Sequence, residues 1–213
     1  MNKITFKLLL ALTILVGATV EAQTNLFEHP DFETIAKDHK SIAIIPFSAK
    51  VSLRPKQMKE ITAEQLKEME MHEGQSIQTA MYSWFLKRRK RGKLLIEVQD
   101  PNTTNAILNK NEIDLSVTTP KELATLLNVD AVITGKFETD KPMSDGASLA
   151  LGLLVCFWGT TNSATVNMSI NNAEDGVLLW NYNKRVAGSL GSSNDQLINK
   201  LMRKASRRLA YTK

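Results

Sequence analysis

The sequence is poor in the residues that build disulfides and metal sites. Its 213 residues include a single cysteine, Cys156, which excludes an internal disulfide, so packing must stabilise the fold. We interpret Cys156 as a small core residue; a reactive thiol is the alternative, although no basic residue neighbours it in the sequence. The three histidines, His29, His39 and His72, lack the spacing of metal ligands and are interpreted as solvated. The sequence therefore predicts no metal site.

Motifs for catalysis and for cofactor binding are also missing. Ser192 and Ser193 follow a glycine, but neither lies in a G-x-S-x-G elbow, and we expect them to cap the last helix. Gly188 and Gly191 do not lead into the GK[ST] ending of a phosphate-binding loop. The net charge of +5 is too small to indicate a nucleic-acid partner. The sequence therefore predicts a protein that is not an enzyme, with no catalytic residue and no cofactor.

A cleavable signal peptide is predicted over residues 1–22. Lys3 and Lys7 precede an apolar stretch of 13 residues, Leu8–Val20, and small residues occupy positions −3 and −1 of a cut after Ala22. A membrane-spanning helix needs about 20 residues, which disfavours a retained anchor. No cysteine near the cut offers an acceptor for a lipid. We therefore expect a periplasmic or secreted protein that is not lipidated and that contacts the outer membrane only peripherally.

The remaining chain is expected to be a lead-in segment, 23–40, followed by one domain over 41–213. Short apolar or alternating runs predict strands, and capping signals with an i, i+3, i+4 apolar stripe predict helices. The predicted strands are 41–47, 94–98, 130–137, 164–170 and 177–186, and the predicted helices are 62–90, 101–110, 119–128 and 193–210. This order indicates an α/β (α+β) fold with a single mixed sheet and flanking helices, arranged as β-α-β-α-α-β, an apolar segment, a β-hairpin and a last helix.

Two details of this arrangement are predicted more finely. Gly74 lies inside the first long helical pattern and is expected to break it into helices 62–72 and 75–90. Because crossovers between parallel strands are right-handed, the long helix and the pair of helices over 101–127 are expected to share one face of the sheet.

Cations are concentrated at the ends of two predicted helices. They would compensate the helix dipoles in solvent, or they would form a patch for an anionic surface such as lipid headgroups or lipopolysaccharide if both ends lie on one face. The candidate anion patch comprises Lys87, Arg88, Arg89, Lys90, Arg91, Arg203, Arg207 and Arg208.

The most apolar stretch after the signal peptide is 147–158. It is too short to cross a membrane as a helix, so we interpret it either as a buried strand or as an exposed surface for oligomer or membrane contact. The candidate interface residues are Leu149, Leu151, Leu153, Leu154, Phe157 and Trp158.

Three segments resemble, in order, those of a group of bacterial envelope proteins. They are the first strand Ile42–Phe47, the helix–strand junction Glu122–Gly135 with its L-x-V-D motif, and the hairpin Ile170–Trp180 with its glycine and tryptophan. The group includes the amino-terminal domain of the Tol system's periplasmic propeller protein, the curli-secretion lipoprotein and the lipoprotein activators of penicillin-binding proteins. The resemblance covers about 41–210 and implies a shared fold without enzymatic activity. The lipid-anchoring cysteine of its lipoprotein members has no counterpart in this chain.

Compartment, fold and resemblance together indicate a non-enzymatic protein that acts by protein–protein contact in the cell envelope. The apolar segment and the edge of the sheet are the expected contact surfaces for an envelope protein or for a second copy of the chain. The alternative is a peripheral binder of an anionic envelope surface that uses the basic helix ends.

Overall fold

The computed structural model describes residues 24–51, 58–139, 163–187 and 194–212. The predicted signal peptide, the apolar run 147–158 with all six candidate interface residues, Cys156 and the serine pair at 192–193 lie outside these residues.

Seven strands and five α-helices make up the described residues. The strands are β1 (Thr24–Glu28), β2 (Ser41–Ile44), β3 (Ser48–Lys50), β4 (Glu97–Val98), β5 (Ala131–Thr139), β6 (Ser163–Asn172) and β7 (Leu178–Ala187). The helices are α1 (Phe32–Ile35), α2 (Ala63–Lys90), α3 (Pro101–Lys110), α4 (Pro120–Leu127) and α5 (Asn194–Ala205), and a short 3-10 helix, Ala36–Asp38, follows α1.

All seven strands belong to one mixed sheet in the order β1-β7-β6-β5-β2-β4, with β3 also paired to β5. The β2 strand is parallel to β4 and β5, whereas β5, β6, β7 and β1 are successively antiparallel. Pro46, which has no N–H for a ladder, separates β2 from β3, and β5 pairs with both. The predicted fold class, a single mixed sheet with flanking helices, is confirmed.

Helices cover both faces of the sheet, contrary to the expectation of a shared face. Apolar residues of α2 and α5 pack on one face, together with Ile42, Ile44 and Ile133. Apolar residues of α3 and α4 pack on the other face, against Ala43 and Val132. The connection through α2 leads from β2 outward to β4, whereas α3 and α4 lead back past β2 to β5. Two right-handed crossovers that run in opposite directions place their helices on opposite faces.

The prediction that Gly74 breaks the long helix is wrong, because α2 continues without interruption from Ala63 to Lys90. Gly74 is buried against the chain that follows β2, and its carbonyl accepts the Phe47 N–H at 3.2 Å. A β-carbon at Gly74 would lie 2.0 Å from the Phe47 carbonyl oxygen. Gly74 therefore allows α2 to pack closely on the chain that follows β2, and it does not end the helix.

The predicted outer ends of α2 and the predicted ends of α3 and α4 are confirmed. Thr62 and Gln65 form a capping box at the start of α2, and Thr119 and Glu122 form another at the start of α4. Asp100 caps α3 by accepting the Asn102 N–H at 2.8 Å. The end of α2 is followed by Gly92, in the left-handed conformation with φ of +64°.

Several elements differ from the sequence prediction. The β1 strand was not predicted, since residues 23–40 were expected to form a lead-in segment or a short helix, and β3 lies outside the predicted strands. The expected strand over 94–98 reduces to β4 and an isolated bridge from Leu94 to Thr212. The last helix ends at Ala205, after which turns carry the chain to Tyr211.

Candidate functional site

The structure brings the ends of α2 and α5 close together. The Arg88 guanidinium is half-buried, and its pKa is lowered first by this burial and then by the nearby charges of Arg207 and Arg91. Within the described ranges, its buried Nε atom has no hydrogen-bond partner. Three cations from two helix ends therefore repel one another at one place on the surface, which is a favourable position for an anion.

Other members of the candidate anion patch have partners within the protein. Arg89 forms an ion pair with Glu97 of β4. The Lys87 ammonium lies 4.7 Å from the ring centroid of Trp84. Both charges are partly engaged, so they contribute less to the patch than Arg88, Arg91 and Arg207.

The turn after α5 is fixed by the sheet beneath it. The Trp180 indole N–H donates to the Arg208 carbonyl at 2.9 Å, and the Trp180 ring stacks on Tyr182 at a centroid distance of 5.6 Å. Trp180 is fully buried, as expected for a tryptophan that packs beneath a helix. The hydrogen bond holds Arg208, in the turn after α5, against the sheet. Lys90 and Arg203 are exposed on their helices.

The sheet has a free edge at β1. This strand pairs with β7 on one side, and no described strand pairs with its other side. The His29 N–H donates to the Leu179 carbonyl at 2.8 Å, and antiparallel ladders alternate, so the backbone groups of Leu26 and Glu28 point away from β7. Leu26 and Phe27 are 48% and 45% exposed. An uncovered edge with exposed apolar side chains is a site for pairing with another chain.

A second open surface lies on the face of the sheet that carries α3 and α4. These helices cover β2 and the first part of β5, whereas the same face of β6, β7 and β1 carries exposed or half-buried side chains, which are mostly polar and include Phe27. A groove of about 770 Å³ leads onto this face between α2 and the loop before α4. Its walls include Lys67, Glu70 and Met71 on one side and Leu115 and Thr118 on the other.

The open face was not predicted from the sequence. A signal was present, because asparagines recur within β1, β6 and β7 although asparagine is disfavoured in strands. These asparagines are Asn25, Asn167, Asn171, Asn181 and Asn183.

The interpretation of His39 as solvated is wrong. His39 is half-buried, and its Nδ1 atom lies 2.7 Å from the Tyr211 hydroxyl. Burial, and then the charge of Asp130, raise the pKa of Tyr211, so this hydroxyl stays protonated and can donate to His39. His39 Nε2 lies 3.2 Å from Asn172 Oδ1. His39, Tyr211 and Asn172 thus form a cluster that joins the start of the domain to its last turn and to the β6–β7 hairpin. No spacing in the sequence indicates this cluster.

Asp130 has a structural role beside these residues. It accepts the backbone N–H groups of Lys40 and Ser41, each at 2.8 Å.

Among the described residues, no group of three or more metal-ligating side chains forms a metal site. No helix in the same residues is long and apolar enough to cross a membrane.

Comparisons with known proteins find similarity at the level of structure. No protein-family model matches the sequence, and no curated protein is significantly similar to it. The PelC dodecamer from Paraburkholderia phytofirmans is 11% identical with a TM-score of 0.48, covering 90% of this chain and 99% of PelC. Lipoprotein GNA1162 from Neisseria meningitidis is 14% identical with a TM-score of 0.45, covering 78% of this chain and 94% of GNA1162.

The LpoB C-terminal domain from Salmonella enterica is 10% identical with a TM-score of 0.34, covering 75% of this chain and 94% of that domain. The structures similar to this chain thus include proteins of the group that the sequence resemblance named, LpoB among them. At these identities and scores the comparisons carry no argument about partners or lipidation. The absence of lipidation stays a prediction from the sequence.

Proposed function

We propose that this chain is a non-enzymatic cell-envelope protein that acts by protein–protein contact through the free edge of its sheet at β1. The envelope location rests on the predicted signal peptide and on the sequence resemblance. The partner is an envelope protein that supplies a strand, and a second copy of the chain is one form that such a partner can take.

The edge strand β1 is the observation that supports this proposal. Natural sheets protect their edges with lysine, proline, bulges or covering segments, because unpaired backbone groups attract further strands. Within the described residues, the central part of β1 has none of these protections, and Leu26 and Phe27 expose apolar side chains. Main-chain hydrogen bonds to an added strand would supply affinity, and contacts with these two side chains would supply selectivity.

Site-specific photo-crosslinking in the envelope tests this contact. A benzoylphenylalanine at Glu28, whose backbone points away from β7, should form a crosslink to one defined protein. The same residue placed at the exposed Ala106 of α3 is the matched control and should not form this crosslink. Equal crosslinking at both positions would contradict a specific contact at β1.

A second candidate function, binding to an anionic envelope surface, is supported by one observation. Arg88 and Arg91 lie at the end of α2 and Arg207 lies in the turn after α5, and the pKa of Arg88 is lowered first by burial and then by the charges of Arg207 and Arg91. Such like-charge proximity is unfavourable for folding, and it would be relieved by phosphate groups of lipids or lipopolysaccharide. Binding to anionic vesicles, described below, tests this candidate.

A further inference from the structure

The open face of the sheet presents two straight rows of side chains across four strands. Thr134, Ser169, Asn181 and Phe27 form the first row, since each is the direct cross-strand partner of the next. Lys136, Asn167, Asn183 and Asn25 form the second row by the same pairings. Neighbouring strands lie about 4.8 Å apart, so each row extends over roughly 14 Å.

The hydrogen bonds within these rows leave several groups available. The Asn181 amide donates to Asn167 Oδ1 at 2.8 Å and to Ser169 Oγ at 2.9 Å, which fixes its orientation. By contrast, the side-chain amides of Asn183 and Asn25 have no hydrogen-bond partner within the described parts of the chain. A side-chain amide both donates and accepts hydrogen bonds, so this face offers hydrogen-bond donors and acceptors side by side.

The composition of the face goes against local preference. Asparagine is depleted in strands, and an exposed sheet face is ordinarily kept soluble by charged residues or threonine. Here asparagines occupy the middle of three adjacent strands on one face. Residues that go against the preference of their secondary structure, without a packing reason, are expected at functional sites.

The charge of the face selects the class of ligand. Lys136 is the single ionisable residue in the two rows, and the wall of the groove beside them carries Lys67 and Glu70, which have opposite charges. Neither a polyanion nor a polycation finds a complementary field there. Phe27 ends the first row with an exposed aromatic ring, which can pack on an apolar ligand surface.

We propose that this open face and the adjoining groove bind an uncharged carbohydrate chain. Sugar hydroxyls donate and accept hydrogen bonds as amides do, and the C–H face of a sugar ring packs on an aromatic side chain. The strand faces of other small β-structures bind oligosaccharides in this way. The groove, lined by Thr134, Lys136, Asn167, Ser169 and Asn181 at its floor, lets such a chain continue past the rows towards α2.

Nuclear magnetic resonance of the folded chain tests the proposal, because asparagine side-chain amides give their own signals. The probes are two uncharged hexasaccharides, cellohexaose and chitohexaose, and an anionic one, oligogalacturonate. We expect an uncharged probe to shift the amide signals of Asn25, Asn167 and Asn183. Asn183→Ala should weaken binding by about fivefold, the loss of one hydrogen bond. Asn109→Ala, at an exposed position on α3, is the matched control and should leave affinity unchanged.

The other outcomes would overturn the proposal. It is wrong if neither uncharged hexasaccharide shifts these amide signals, or if oligogalacturonate binds more tightly than both. Shifts that depend on protein concentration alone would mean that the face meets a second copy of the chain. Since the Asn183 side chain has no hydrogen bond to lose among the described residues, its variant is expected to fold, and unchanged amide signals elsewhere in the spectrum verify this.

Discussion

At the scale of single residues, the close contact between Gly74 and Phe47 leads to a prediction about stability. Replacing a glycine inside a helix by alanine normally stabilises a protein by about 1 kcal/mol. At Gly74 the added β-carbon would lie 2.0 Å from a backbone oxygen, so α2 or the chain after β2 must shift. The helix preference of alanine would raise the free energy of unfolding of this variant, whereas the steric conflict would lower it. We expect the steric effect to be the larger.

We predict that Gly74→Ala lowers the free energy of unfolding by about 1–3 kcal/mol, the usual cost of overpacking. Urea denaturation of the purified domain measures it. Ser76→Ala, at an exposed position in the same helix, is the control and should be neutral or slightly stabilising. A Gly74→Ala variant as stable as this control would show that α2 does not approach Phe47 so closely.

The carboxylate of Asp130 gives a prediction about pH. Burial acts to raise its pKa, but hydrogen bonds from the Lys40 and Ser41 backbone and from the Ser41 hydroxyl outweigh burial and lower the pKa. A lowered pKa in the folded state means stability that is present above the unfolded pKa of about 4 and is lost as pH falls through the folded value.

Asp130→Asn should therefore be less stable than the native chain near neutral pH, by about 1 kcal/mol, and the difference should shrink as the solution is acidified below about pH 4. Thermal unfolding measured from pH 3 to pH 7 gives this difference. Asp38→Asn, at an exposed position, is the matched control. A stability difference that stays constant over this range would mean that the charge of Asp130 does not stabilise the fold.

At the scale of elements, the basic end of α2 meets the basic end of α5. We predict that the protein binds vesicles containing phosphatidylglycerol and that Arg91→Gln with Arg207→Gln weakens binding by about fivefold for each charge removed. Lys110→Gln, at the end of α3, is the matched control. Binding should weaken as salt rises, since the contact is exposed. Binding that ignores both salt and these arginines would exclude the basic ends as a lipid contact.

The elements also show what local sequence can predict. Capping boxes at Thr62 and Thr119 specify helix starts with nearby residues alone, so they were predictable. The role of Gly74 was not predictable from nearby residues, because Gly74 contacts Phe47, which lies between β2 and β3. The β1 strand was missed for a similar reason: a five-residue edge strand has little pattern of its own and forms because β7 offers a ladder.

At the scale of the whole molecule, the sheet order decides which surfaces are free. The predicted strands and helices did not show that β4 is the edge strand next to β2. Because of this placement, α2 packs on one face of the sheet and α3 and α4 pack on the other. The free edge at β1 and the open asparagine face both follow from that order. The proximity of Arg88 and Arg207 follows from the packing of α2 and α5 on one face.

The central claim is that the free edge of β1 contacts a protein partner, and a single backbone group tests it. Leu26→Pro removes an N–H that points away from β7, so the sheet should stay intact while the added strand loses a hydrogen bond. Leu26→Val keeps the N–H. With the crosslinker at Glu28, we expect Leu26→Pro to lose the crosslinked partner and Leu26→Val to retain it. A folded Leu26→Pro variant that crosslinks as well as Leu26→Val would show that no strand is added at β1.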